Sequence, residues 1–237
     1  MFKNNDLKVE FFSSHPYLNE VPECRPAPLS KFLPEWWSKF NSKDLGPGAS
    51  IKDCPSFAQM FSSAYVVPMW ADTAIIVNEN KEVHVEVADN SFSWKHHYNY
   101  QFLDQAPKNI KDSVSIVLKP DCPWHVKTPK GYSLYQTGSF YHFNENFDIM
   151  PGIINTDLHP EINQQLLISS NPGSFVIKRG EPFAVYFPFK RDKFKLQTRT
   201  ATEKDRKSFE KSHFWISTKF SGGYKDMVRH YDDKKSF

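Results

Sequence analysis

His84-Val85-Glu86 sets an imidazole and a carboxylate two positions apart, and His96 and His97 follow a hairpin's length later. On a strand, positions 84 and 86 share one face. With His96 as a third ligand, that face would make a three-ligand metal site. The fuller H-x-H pattern with a downstream glutamate that a cupin carries is not in the sequence. The competing reading is a solvated strand face with ordinary histidines, so no metal and no cofactor is assigned. Cys24, Cys54 and Cys122 are odd in number, far apart and outside any C-x-x-C spacing, which fits reduced thiols in a cytosolic chain. Asp72, Asp148 and Asp157 stand near glycines and prolines and read as turn acids. No Walker loop, G-x-G-x-x-G, G-x-S-x-G or H-E-x-x-H occurs, which removes the commonest phosphate, dinucleotide, hydrolase and zincin mechanisms.

The elements that would position these side chains are mostly strands. Leu7 to Ser13 reads as a strand, and Pro16, Pro22, Pro26, Pro28 and Pro34 follow within 19 positions. Each proline fixes φ and removes a donor, so residues 1–49 are expected to form an extended arm carrying one short helix at Pro34 to Phe40. The rings of Trp36 and Trp37 in that helix are expected to anchor the arm on the body of the protein. Val83, Val85 and Val87 alternate with His84 and Glu86 at period 2, the pattern of a half-buried strand. Further strands are expected at 65–70, 73–77, 92–102, 114–118, 124–128, 132–136, 147–150, 162–170, 174–177 and 182–188. Pro129-Lys130-Gly131, Asn171-Pro172-Gly173 and Lys178-Arg179-Gly180-Glu181 are expected as turns between them. Thr202 with Asp205 three positions on is a capping-box-like start for a helix over 203–217, and a second short helix is expected at 224–231. The organisation expected is an arm (1–49), a β domain (50–200) and a C-terminal helical segment (201–237).

One stretch rises above this background. Pro129-Lys130-Gly131-Tyr132 is followed by Thr137-Gly138-Ser139-Phe140, then by Gly152-Ile153-Ile154-Asn155-Thr156-Asp157-Leu158, then by Phe175-Val176-Ile177 with Gly180 and Phe183-Ala184-Val185. In order and spacing, residues 113–191 resemble the dUTPase and dCTP-deaminase superfamily. The resemblance implies a β-clip or barrel-like core of short antiparallel strands and a homotrimer whose arms exchange between subunits. It also implies a ligand cleft at Ser139, Asn155, Asp157 and Leu158. The family's chemistry does not carry over with it. Asn155 stands where the family's water-ordering aspartate would be, and an amide takes no proton. Leu158 replaces the tyrosine that stacks under the sugar, and Gly138 replaces the phosphate-gripping arginine, which leaves Ser139 as the phosphate donor. Glu161, a stand-in for the deaminase glutamate, lacks that motif's surroundings.

Composition narrows the functional class. Aromatics make up 16% of the 237 residues, with 21 Phe, 10 Tyr and 6 Trp, and the formal net charge is +3. Ring-rich apolar content favours sheets, and so small a charge gives no strong nucleic-acid signal. The most basic stretch, 190–211, reads as a solvated face. No apolar run has the length of a signal peptide or membrane span, so a cytoplasmic protein with no membrane association is expected. Two functions remain. One is a non-catalytic structural or interaction protein with protein partners, of phage type and built into a virion or other assembly. The other is a diverged nucleotide or small-ligand binder, or enzyme, using the cleft at Ser139 and Asn155.

Overall fold

The computed structural model describes residues 7–40 and 51–217. They fall into two compact units, one of residues 7–40 and 60–191, the other of residues 51–59 and 192–217. The helix expected at 224–231 lies outside the described residues.

The arm is less extended than its prolines led us to expect. Strand β1 (Glu10–Ser13) is followed by helix α1 (Pro16–Glu20), a 3-10 turn at Pro22–Cys24 and the two-residue strand β2 (Ala27–Pro28). A 3-10 turn at Leu29–Phe32 and helix α2 (Glu35–Lys39) complete it. The physical reason is position: Pro16 and Pro22 open their helical turns, where the missing N–H would have had no partner and the fixed φ is already helical. Leu18, Cys24, Leu29 and Trp37 are buried, so the arm packs through one apolar side chain per short element.

In chain order α3 (Pro55–Ser62) comes next, and then β3 (Tyr65–Pro68), β4 (Thr73–Val77), β5 (Val83–Val87) and β6 (Trp94–His97). The long strand expected over 92–102 stops at His97, and 3-10 turns occupy 99–101 and 103–105 before a short helix, α4 (Lys108–Ser113). Next come β7 (Val114–Pro120), β8 (Trp124–Lys127), β9 (Tyr132–Gly138), β10 (Phe147–Ile149) and β11 (Gly152–Ile154). Strands β12 (Leu166–Ser169), β13 (Gly173–Ile177) and β14 (Pro182–Lys190) close the β part. Helix α5 (Glu203–Ser217) lies in the second unit. Its expected cap is formed: Thr202 N–H donates to Asp205 Oδ2 at 2.7 Å, and Asp205 N–H donates to Thr202 Oγ1 at 3.3 Å.

The mainly antiparallel β architecture expected from the sequence is present as open sheets: β11-β9-β14-β3-β2, β10-β12-β7-β6, β13-β4-β5 and the pair β1-β8. Every named pairing is antiparallel. On β5 the alternation holds, with Val83, Val85 and Val87 half-buried and His84 and Glu86 exposed. On β14 it fails, because Phe183, Ala184, Val185 and Tyr186 are all buried in succession. Both faces of that segment are covered, and a strand covered on both faces carries a continuous apolar run.

Inside the core, three buried polar side chains answer one another. Tyr186 Oη donates to Gln136 Oε1 at 2.9 Å and accepts from Gln164 Nε2 at 2.6 Å, and Gln136 Nε2 donates to the Asn163 carbonyl at 3.2 Å. Burial pushes the Tyr186 phenol far above its ordinary value, so it stays a neutral donor across the accessible pH range. Tyr186→Phe keeps the ring and removes this donor, leaving Gln136 Oε1 buried without its partner. We expect a loss of about 1–3 kcal/mol in urea unfolding with an unchanged m value. A variant as stable as the wild type would show that the network contributes no stability.

Candidate functional site

The expected cleft residues are positioned by the two ends of β9. At its start, the turn after β8 places Gly131 at φ +84°, a left-handed conformation that a side chain disfavours. The Gly131 N–H donates to Asp157 Oδ2 at 2.9 Å, and the Arg191 N–H donates to the Gly131 carbonyl at 2.8 Å. Arg191 follows the last residue of β14, and its guanidinium grips Asp157 with both nitrogens: Nη1 to Oδ1 at 2.6 Å and Nη2 to Oδ2 at 2.5 Å. Nη1 also reaches Ser133 Oγ at 3.0 Å, and that hydroxyl donates to Asn155 Oδ1 at 2.7 Å. Two further backbone bonds close the 155–158 turn, from the Leu158 and His159 N–H groups to the Asn155 carbonyl.

A bidentate arginine with a backbone N–H is the strong form of carboxylate binding. The Asp157 side chain is 3% exposed. Its hydrogen bonds to Arg191 and then to the Gly131 N–H hold the carboxyl down at about 2. At neutral pH it is an ion with both oxygens engaged, which makes it a tie between the 155–158 turn and the end of β14. The Asn155 carbonyl oxygen is engaged in the same network, and its amide has no proton-accepting nitrogen.

Ser139 lies at the far end of β9. It stands six residues from Ser133, about 20 Å along an extended chain. The antiparallel register, Gly152 opposite Gln136 and Ile154 opposite Leu134, carries the 155–158 turn away from it. Within one chain, therefore, Ser139 does not share a cleft with Asn155, Asp157 and Leu158. Its hydroxyl donates to the Pro182 carbonyl at 2.8 Å. Leu158 is 77% exposed, a neighbour of the network and not a member.

Around Ser139 opens a cavity of about 840 Å³ whose wall is largely the loop between β9 and β10. Two aromatic residues of that loop, Tyr141 and Phe143, hold positive φ angles of 62° and 48°, a conformation that costs roughly 1–3 kcal/mol each unless the surroundings impose it. The arm imposes it. Trp36 Nε1 donates to the Tyr141 carbonyl at 2.8 Å, the Tyr141 ring stacks on Trp37 at 4.9 Å, and the Phe143 ring stacks on Trp36 at 5.8 Å. His142 Nε2 donates to the Phe32 carbonyl at 2.9 Å. The Trp pair is the anchor its sequence predicts, and what it anchors is the cavity's loop.

His84 and Glu86 do meet on the exposed face of β5, with Nε2 and Oε1 3.3 Å apart. His96 stands on β6 in a different sheet, its ring against Tyr98. Among the described residues no three His, Cys, Asp or Glu side chains gather as metal ligands, so the third ligand proposed for the pair is not supplied. Glu161 is likewise a surface residue, 3.4 Å from the His159 ring. Two participants stood outside the expected site: Ser133, and Arg191, which reads in sequence as one charge of a basic stretch. Their only signal is long-range, a cation and a hydroxyl that meet Asp157 and Asn155 once β9 and β14 have paired.

No protein-family model matches the chain, and no curated protein matches it in sequence. Among solved structures, the native dUTPase of EIAV aligns over 60% of this chain and 86% of its own, at 13% identity and a TM-score of 0.33. Overlap that loose assigns no family and no activity. Among the described residues no helix is long and apolar enough to cross a membrane.

The low pKa of Asp157 fixes the sign of a pH effect. A carboxyl near 2 in the folded state and near 3.9 unfolded contributes stability that is full above about pH 5 and is lost as pH falls from about 4 towards 2. Asp157→Asn should therefore lower the melting temperature at pH 7, and the gap from wild type should close over that acid window. A gap that stays constant down to pH 2 would show that the ion pair is not its source.

Proposed function

We propose that this chain is a non-catalytic structural or interaction protein on a dUTPase-like β scaffold, acting through protein partners. The observation that carries the reading is the tie at the start of β9: the side chains standing where hydrolytic chemistry would need a base and a water hold the fold together instead. Asp157 is closed by Arg191 and Gly131, and Asn155 is held by Ser133. The Ser139 hydroxyl donates to a backbone carbonyl, and Glu145, Asp148 and Glu181 stand on the same cavity wall with no Lys or Arg. Such a wall repels the triphosphate that a nucleotide-binding or enzymatic reading would place there. Homo-oligomerisation, as a trimer, and incorporation into a virion are the forms that an interaction role is proposed to take.

The test is turnover and binding measured together. Incubated with dUTP or dCTP and magnesium, the protein should release pyrophosphate and ammonia no faster than buffer. Neither nucleotide should raise its melting temperature, although a ligand at 100 times its Kd would add about 2.7 kcal/mol. Release above the buffer rate that disappears in Ser139→Ala would overturn the reading. Light scattering tests the trimer directly, and a monomeric mass at micromolar concentration would remove it.

A further inference from the structure

The cavity beside Ser139 combines aromatic and acidic residues. At about 840 Å³ it is in the size range of small-molecule sites. Five aromatic residues line it: Phe140, Tyr141, Phe143, Phe147 and Phe183. Three carboxylates, Glu145, Asp148 and Glu181, join them, and no Lys or Arg does. Among the described residues none of the three carboxylates has an ion-pair partner. Glu181 accepts only the Lys178 backbone N–H through Oε2, and the wall's imidazole, His142, is bonded through Nε2 to the Phe32 carbonyl. In a chain whose formal net charge is +3, this is a concave patch of uncompensated negative charge.

Three ligand classes can be separated on these observations. A phosphate or carboxylate ligand meets only like charge. A bare metal ion needs converging oxygen or nitrogen ligands, and no group of three His, Cys, Asp or Glu side chains among the described residues could hold one. An organic cation is suited on both counts, because an ammonium or guanidinium is attracted to ring faces as well as to carboxylates and is large enough to touch several walls at once. The rings are also held in place before any ligand arrives: Tyr141 by Trp37, Phe143 by Trp36, and Phe147 between Phe175 and Phe183. A preformed wall lowers the ordering cost of binding.

We infer that this cavity binds an organic cation, an alkylammonium or guanidinium group seated against the rings and countered by Glu145, Asp148 and Glu181. The group has two sources, a free amine or the lysine or arginine side chain of a protein partner.

Isothermal titration calorimetry on the full chain tests this with three probes: spermidine, the peptide acetyl-Gly-Arg-Gly-amide, and its neutral isostere with citrulline in place of arginine. Saturable binding of spermidine alone identifies a free amine as the source, of the arginine peptide alone a partner's side chain, and of both a site that reads only the charge. Where the arginine peptide binds, the citrulline peptide should bind at least about tenfold more weakly, since the lost cation–π and ionic contacts exceed about 1.4 kcal/mol. The Glu145→Gln, Asp148→Asn, Glu181→Gln triple variant should weaken the cationic probes by about tenfold or more. Should that variant fail to fold, Phe143→Ala, at a position 73% exposed, should weaken them by about threefold or more. The inference is overturned if neither cationic probe gives saturable heat, if citrulline binds as tightly as an arginine peptide that gives saturable heat, or if no folded variant weakens binding. None of these results bears on nucleotide turnover, so this site and the proposed function fail separately.

Discussion

Seven consecutive residue pairs hold β14 against β9, from Ala184 opposite Gly138 to Lys190 opposite Tyr132, while the other edge of β14 pairs with β3. That double pairing is the constraint from which the rest of the β unit follows. It buries Phe183 to Tyr186 without a break, and it puts the Tyr186 phenol within reach of Gln136 on the neighbouring strand. It delivers Arg191, the residue after the strand, to Asp157. It also brings Pro182 beside Ser139, where the carbonyl takes the serine hydroxyl. A one-residue slip would turn every one of these side chains to the opposite face. The buried polar network opposes such a slip, because any other register leaves amide oxygens and a phenol in the core without partners.

Local pattern made much of this legible, and the exceptions share a cause. The strand at 83–87 follows from strict alternation of Val83, Val85 and Val87, and the turn at Pro129-Lys130-Gly131 follows from residues that tolerate its geometry. The cap of α5 follows from Thr202 and Asp205. What local pattern could not supply was orientation on β14, where four buried residues in succession carry no period, and the partners of Asp157. Residues 157 and 191 are 34 positions apart, and nothing near either one distinguishes a latch from two surface charges. The strand expected through Phe102 failed for a related reason: Tyr98, Tyr100 and Phe102 have strand-like rings, but Tyr98 and Tyr100 are exposed and no neighbouring strand pairs with the chain beyond His97.

The residues expected to form one site, Ser139, Asn155, Asp157 and Leu158, are divided between the two ends of β9. Gly138 ends β9 and Gly152 begins β11, and the two strands pair antiparallel. Strand length then separates the chemistry, since about 20 Å of extended chain lies between Ser133 and Ser139. One end of β9 is electrostatically closed: cation, carboxylate, hydroxyl and amide each have a partner. The other is open, with carboxylates that lack ionic partners among the described residues and aromatic residues that line a cavity. A closed network of this kind stabilises a fold and has little left to give a ligand, whereas uncompensated charge beside apolar surface is costly unless something binds there.

The proline-rich arm acts on the open end. Its prolines prevent a long helix or a strand ladder, so it crosses the unit as short turns that each bury one side chain, the last being Trp37. Trp36 and Trp37 then hold Tyr141 and Phe143 in backbone conformations that these residues adopt rarely, through a hydrogen bond and two ring stacks. A loop free of the arm would relax towards negative φ and turn its rings elsewhere. The shape of the cavity is therefore set some hundred residues away in sequence, by a segment whose prolines mark it as an extended arm. In this protein the arm braces the loop that forms the wall.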